Sequence, residues 1–198
     1  MTAPIDLQYD IKSYTYTDYI ELHKDLILNN TTTGDEKTPE RIEFTKLNLQ
    51  RMKRIEKQVK LNDQLVERIQ KINREQIWIV IAEAWCGDGA QNIPVIAKAA
   101  ALSPFIELKI VLRDDHPELM DKYLTNGTRS IPKLIIRDAE TGTDLATWGP
   151  RPKAIAEKVK AFKAEYPQGS KEDFHLNLHL WYARDKGVSF QQDLIELF

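Results

Sequence analysis

The chain has 198 residues, 42% hydrophobic and 29% charged, with a net charge of −2 and no low-complexity tract. That length suits one domain with extensions better than two full domains. Near-neutrality gives no general pull toward nucleic acid or an anionic membrane, and no apolar run is long enough to cross a bilayer. The opening Met1-Thr2-Ala3-Pro4-Ile5-Asp6 lacks the basic and apolar regions of a signal peptide, so a cytoplasmic location is expected. A single cysteine, Cys86, leaves no intramolecular disulfide to form and fits that expectation.

In chain order, residues 17–28 read as a helix with Tyr19, Ile20, Leu22, His23, Leu26 and Ile27 mostly on one side. The polar stretch 29–34 reads as a loop. Thr38-Pro39 is a helix start, with a capping hydroxyl and proline at the first helical position. From there to Asn73 the spacing of Met52, Ile55, Val59, Val66 and Ile69 is helical, either as one long helix or as two with a break near Leu61-Asn62-Asp63. Residues 37–71 carry ten Lys/Arg against five Asp/Glu, which reads best as a solvated basic face.

The period then changes. Residues 76–82 form a continuous branched and aromatic apolar run, the pattern of a strand buried on both faces. A helix over 90–101 with Pro94 inside it, a strand over 106–112 and a short helix over 117–126 stopped by Gly127 follow. Strands over 133–137 and 144–148 are joined by a turn at 139–142, and a helix over 152–166 has Ile155, Val159 and Phe162 as its inner stripe. The order βαβαββα predicts an α/β fold with a four-stranded mixed sheet, parallel across the βαβ crossover, antiparallel in the hairpin and flanked by helices on both faces. The expected organisation is a helical N-terminal extension over 1–73, a central domain over 74–166, and an apolar-rich C-terminal extension over 167–198 packed on the domain or on the N-terminal helices.

The chemistry-bearing segment is Ala82-Glu83-Ala84-Trp85-Cys86-Gly87-Asp88-Gly89, between a strand and a helix. It resembles the active-site segment of thioredoxins, where Trp-Cys-Gly-x-Cys lies at the same junction. Three further landmarks appear in order: Asp114-Asp115-His116-Pro117-Glu118-Leu119 is similar to the family's strand-to-helix link, Arg129-Ser130-Ile131-Pro132 to its cis-proline loop, and Trp148-Gly149 to the glycine ending its last strand. The resemblance covers about residues 74–166 and implies a thioredoxin fold. It also implies Cys86 as the reactive group, with Trp85, Ile131 and Pro132 shaping the substrate site. A cysteine at a helix start meets free N–H groups and the positive end of the helix dipole, which favour thiolate.

The departures narrow the chemistry. Gly89 stands where a second cysteine would complete Cys-x-x-Cys, and Val80 where thioredoxins keep a buried acid. Asp88, beside Gly87, and Glu83 are acids within reach, and an acid so close opposes thiolate. What remains is a monothiol that would exchange through mixed disulfides with a protein or low-molecular-weight thiol, resolved from outside the chain. Monothiol glutaredoxins work this way, but their Cys-Gly-Phe-Ser and Gly-Gly-Asp segments are not matched here. The alternative is a non-catalytic binding or regulatory module on the same fold. No cofactor, metal, nucleic-acid or membrane partner is expected. Arg113 and Arg129 could meet an acidic ligand. His175 and His179 share a helical spacing without a third metal ligand, and the Met52–Ile69 stripe could serve a homodimer with Asn62 setting register.

Overall fold

The computed structural model describes residues 11–198. Helix α1 (Tyr16–Leu28) begins where the Thr15 hydroxyl accepts the Asp18 N–H, and it buries Tyr19 and His23. Helix α2 (Pro39–Gln58) is capped by Thr38, as its Thr-Pro start predicts. The basic arm is two helices. After Val59 the chain breaks, and α3 (Asp63–Gln70) restarts with Asn62 as its cap.

Distant side chains hold that break. Lys98 donates to the carbonyls of Glu56 and Val59 at 2.8 and 2.7 Å, satisfying two groups left open at the end of α2. Gln191 accepts the Asn62 N–H at 2.7 Å and donates to the Lys60 carbonyl. The restart resets the helical phase, so Leu65 rather than Val66 faces inward with Ile69. Asn62 is therefore a helix cap and not a register residue. Met52, Ile55, Val59, Leu65 and Ile69 lie in the chain's own core and are not free for a second copy.

Strand β1 (Gln76–Ala82) is the centre of the sheet β2-β1-β3-β4. It pairs in parallel with β2 (Ile106–Leu112) and antiparallel with β3 (Lys133–Asp138), which pairs antiparallel with β4 (Asp144–Trp148). Its side chains alternate as a strand covered on both faces requires. Trp78, Val80 and Ala82 enter the larger core under α2, α3 and α4 (Gly87–Ala100). Ile77, Ile79 and Ile81 join Leu119, Met120, Ile131 and Cys86 on the other face.

Helix α4 starts three residues earlier than the apolar pattern suggests, because Cys86 itself is the cap. Helix α5 is only Pro117–Met120; residues 121–123 turn out of it, and a bridge between Thr125 and Thr128 closes the end of its expected span. Helix α6 (Lys153–Glu165) buries Ile155, with Val159 and Phe162 half-buried. The C-terminal stretch forms α7 (Lys171–Asp185) and α8 (Val188–Ile195). Phe190, Leu194 and Ile195 of α8 sit in the larger core, where Phe190 meets Trp148 edge-on at 4.4 Å. Asp193 accepts both the Trp148 indole N–H at 2.8 Å and the Lys153 N–H at 2.9 Å.

Two substitutions test this packing. Phe190→Ala empties a fully buried aromatic site and should cost about 3–5 kcal/mol in urea unfolding; a loss under about 1 kcal/mol would show that α8 is not part of the core. Gly149 has φ 122°, and a β-carbon there would lie 2.2 Å from the Pro132 carbonyl oxygen. Gly149→Ala should therefore cost about 2 kcal/mol or more, read as a shift in the urea midpoint.

Candidate functional site

The peptide that precedes the cysteine is gripped from the N-terminal extension. Thr33 accepts the Ala84 N–H at 2.8 Å, and the buried Asn48 of α2 donates to the Ala84 carbonyl at 2.9 Å. This fixes Trp85 and Cys86 in the lining of a cleft of about 390 Å³. Its floor is Cys86, Gly87 and Asp88, and Ser130, Ile131 and Pro150 form one side. Helix α2 contributes Arg41, Phe44 and Arg51, while Phe174, His175, Leu178 and His179 of α7 line it from the C-terminal extension.

Cys86 is 7% exposed. Its Sγ lies 3.4 Å from the Ile131 carbonyl, to which the S–H donates, and 3.4 Å from the Gly89 N–H, which it accepts. The Ile131–Pro132 bond is cis. Burial first and the Asp88 carboxylate second push the thiol up to about 12, against the smaller help of the Gly89 N–H and Arg151. The expectation that a helix start lowers this pKa thus meets the opposite direction: desolvation and one fixed negative charge outweigh the helix end.

Asp88 is itself buried and fully engaged. It accepts from the Tyr182 hydroxyl at 2.6 Å and pairs with Arg151 at 2.6 Å, while Asn92 donates to its backbone carbonyl. Tyr182 comes from α7, so the C-terminal extension reaches the residue next to the cysteine.

Of the residues singled out from the sequence, Trp85, Cys86, Gly87, Asp88 and Ile131 meet in the cleft. Pro132 is buried behind them, its carbonyl against Gly149. Glu83 does not line the cleft. It is buried beneath the loop, its Oε1 accepts the Asp114 N–H at 2.9 Å, and burial raises its pKa. Trp85 is flanked by two guanidiniums, Arg41 at 4.3 Å and Arg113 at 5.1 Å from the ring centre, which makes it a cation–π wall. His179 accepts from Arg51 through Nε2 at 2.7 Å. That occupies the lone pair a metal would need, and no group of three or more metal-ligating side chains occurs among the described residues. Sequence reasoning does not find Asn48, Arg51, Arg151 or Tyr182 as site residues, because they come from α2, the segment before α6, and α7, all distant in sequence from the cysteine and without a local motif.

A family model described as thioredoxin matches residues 36–163, well over half of the chain. The chain belongs to the thioredoxin family. No curated protein matches it in sequence. Among solved structures, it is similar to a protein of unknown function from Pseudomonas aeruginosa, at 20% identity and TM-score 0.59, covering 93% of this chain and 96% of that one. It is also similar to an HIV epitope-scaffold, at 22% identity and TM-score 0.55, covering 78% and 88%. These likenesses establish the fold. The family match begins at residue 36, before α2, so the matched region includes Asn48, one of the two side chains that hold Ala84, while Thr33 lies just outside it.

Within this thioredoxin fold, Asp88 is the charge that adds most to the effect of burial on the sulfur. Asp88→Asn removes the nearest negative charge and frees Arg151 to act on the thiol. The apparent pKa of Cys86 should fall, and iodoacetamide alkylation at pH 8 should quicken about tenfold for each unit of that fall. An unchanged pH–rate profile would show that burial alone controls the cysteine.

Proposed function

We propose that this thioredoxin-family protein is a binding module for a small ligand, in which Cys86 rests as a neutral thiol in the floor of the cleft. The observation that carries this reading is the cysteine's setting. The S–H donates to Ile131, the side chain is almost wholly buried, and Asp88 stands beside it as a carboxylate held by Arg151 and Tyr182. Burial and the neighbouring Asp88 both push the thiol pKa up, which favours the neutral form over the thiolate that nucleophilic exchange needs. Gly89 supplies no second thiol to resolve a mixed disulfide. The α7 residues over the cleft favour a compact ligand over an extended polypeptide laid across the cis-proline loop. A cytoplasmic setting belongs to the same proposal.

The competing reading is monothiol exchange with an external thiol, and the Gly89 N–H directed at Sγ is the observation in its favour. One experiment separates them: the pH dependence of Cys86 alkylation, run beside insulin reduction and beside Cys86→Ser. The binding reading expects an apparent pKa above the ordinary thiol value of about 8.5, no insulin reduction, and a Cys86→Ser protein that retains its cellular role. A pKa below that value, with a mixed disulfide formed from a small thiol and loss of function in Cys86→Ser, would replace it with exchange chemistry.

A further inference from the structure

We propose that the cleft binds the oxyanion group, a carboxylate or phosphate, of a small organic molecule, with Arg51 as its anchor. This rests on the binding reading above and names its ligand class. Four arginines around the cleft are each neutralised by a carboxylate: Arg41 by Glu36 at 2.8 Å, Arg113 by Asp114 at 2.6 Å, Arg129 by Asp121 at 2.7 Å and Arg151 by Asp88 at 2.6 Å. Arg51 is different. It is 8% exposed, yet among the described residues it forms no ion pair. Its two hydrogen-bond partners are neutral: Asn48 Oδ1 at 2.8 Å and His179 Nε2 at 2.7 Å.

A buried cation without a counter-charge is costly, and natural proteins seldom leave one. Asn48 and His179 are neutral and hold the guanidinium in one orientation; the Asp88 carboxylate, already paired with Arg151, acts on it only from beyond ion-pair distance, and burial lowers the Arg51 pKa to about 10. Burial and the neighbouring Arg51 charge lower the His179 pKa to about 4, so at neutral pH the ring serves as an acceptor. A guanidinium has five N–H donors, and these two contacts use two, leaving three for a ligand.

The position suits an anion as well. Arg51 Nη1 lies 3.4 Å from where a β-carbon on Gly87 would sit, so the guanidinium stands over the first turn of α4 and adds to the positive end of that helix. The Asp88 charge in the same cleft is paired with Arg151, and its other oxygen accepts from Tyr182. Phe44, stacked on His175 at 5.3 Å, gives the ligand's body an apolar wall. A forked donor, a helix start and an aromatic wall in about 390 Å³ describe a site for a small organic anion.

The test is calorimetric titration of the full chain with benzoate, phenyl phosphate and the neutral isostere benzamide. At least one anion should bind, the stronger of the two identifying the head group, and benzamide should not. Arg51→Gln should weaken the anion by roughly tenfold or more, while Arg129→Gln at the rim changes it about twofold or less. Thermal unfolding of Arg51→Gln should be unchanged or raised, since it deletes an unpaired buried charge. If that variant does not fold, Arg51→Lys, which keeps the charge and loses the fork, should fold and bind phenyl phosphate more weakly than the parent. Equal binding of benzamide, indifference to substitution at position 51, or no anion binding at ~10 mM overturns the proposal. Repeating the titration in Cys86→Ser separates the two readings. A reactive cysteine would remove the binding module while the Arg51 dependence could still be read, and silent titrations would remove the anion while the thiol pKa stood.

Discussion

The buried amide of Asn48 is the contact on which the rest of the site depends. It donates to the Ala84 carbonyl and accepts from Arg51, so one side chain fixes both the peptide before the cysteine and the cation above it. A buried backbone group must find a partner, and the loop between β1 and α4 cannot supply one for Ala84 itself. The N-terminal extension supplies two, through Asn48 and Thr33. The extensions are thus structural parts of the cleft, since α7 supplies Tyr182 to Asp88 in the same way from the other end of the chain. A minimal sheet with its covering helices would leave the Ala84 peptide without both of its side-chain partners and the Asp88 carboxylate without the Tyr182 hydroxyl.

Three charges then decide the character of the cleft. Asp88 pairs with the Arg151 guanidinium and accepts from the Tyr182 phenol, and its field falls on the neighbouring sulfur. The helix start pulls the other way but offers only hydrogen bonds from α4's first turn to a group already out of water. In such a setting desolvation is the largest single influence, and it always favours the neutral thiol. The same low-polarity environment makes the Arg51 charge expensive and therefore informative. One residue is neutral because of where it lies, and the other is charged in spite of it.

Much of the fold was legible because it rests on local periodicity. The branched run 76–82 reads as a doubly covered strand, and the structure places it at the centre of the sheet. Thr38-Pro39 marks a helix start that the Thr38 hydroxyl caps. The position of Cys86 before a helix and the cis bond at Pro132 follow from the resemblance to thioredoxins. What was not legible depends on distance. The phase slip that buries Leu65 instead of Val66 is held by Lys98 and Gln191, neither near it in sequence. Glu83 looks like a site acid from spacing alone, yet the Asp114 N–H turns it beneath the loop. Arg51 is one of ten basic residues on a stretch that reads as a solvated face, and nothing local distinguishes the one that is buried. The two charge effects on the sulfur, the helix start and Asp88, are visible in the sequence, whereas its burial among Ile81, Leu119, Met120 and Ile131 is not.

The cysteine also serves as the side-chain cap of α4, a place where hydroxyl and carboxamide side chains are the usual choice and sulfur is a weak acceptor. Any chemistry at that atom is therefore coupled to the opening turn of the helix that lies beside β1. Oxidation, alkylation or metal capture would each exchange a helix cap for something else, and the free energy of the modification would include the free energy of the helix start. By linkage, whatever tightens the first turn of α4 makes the sulfur harder to modify, and whatever modifies the sulfur loosens that turn. The chemistry of the sulfur and the start of α4 are thereby linked through the single Gly89 N–H contact.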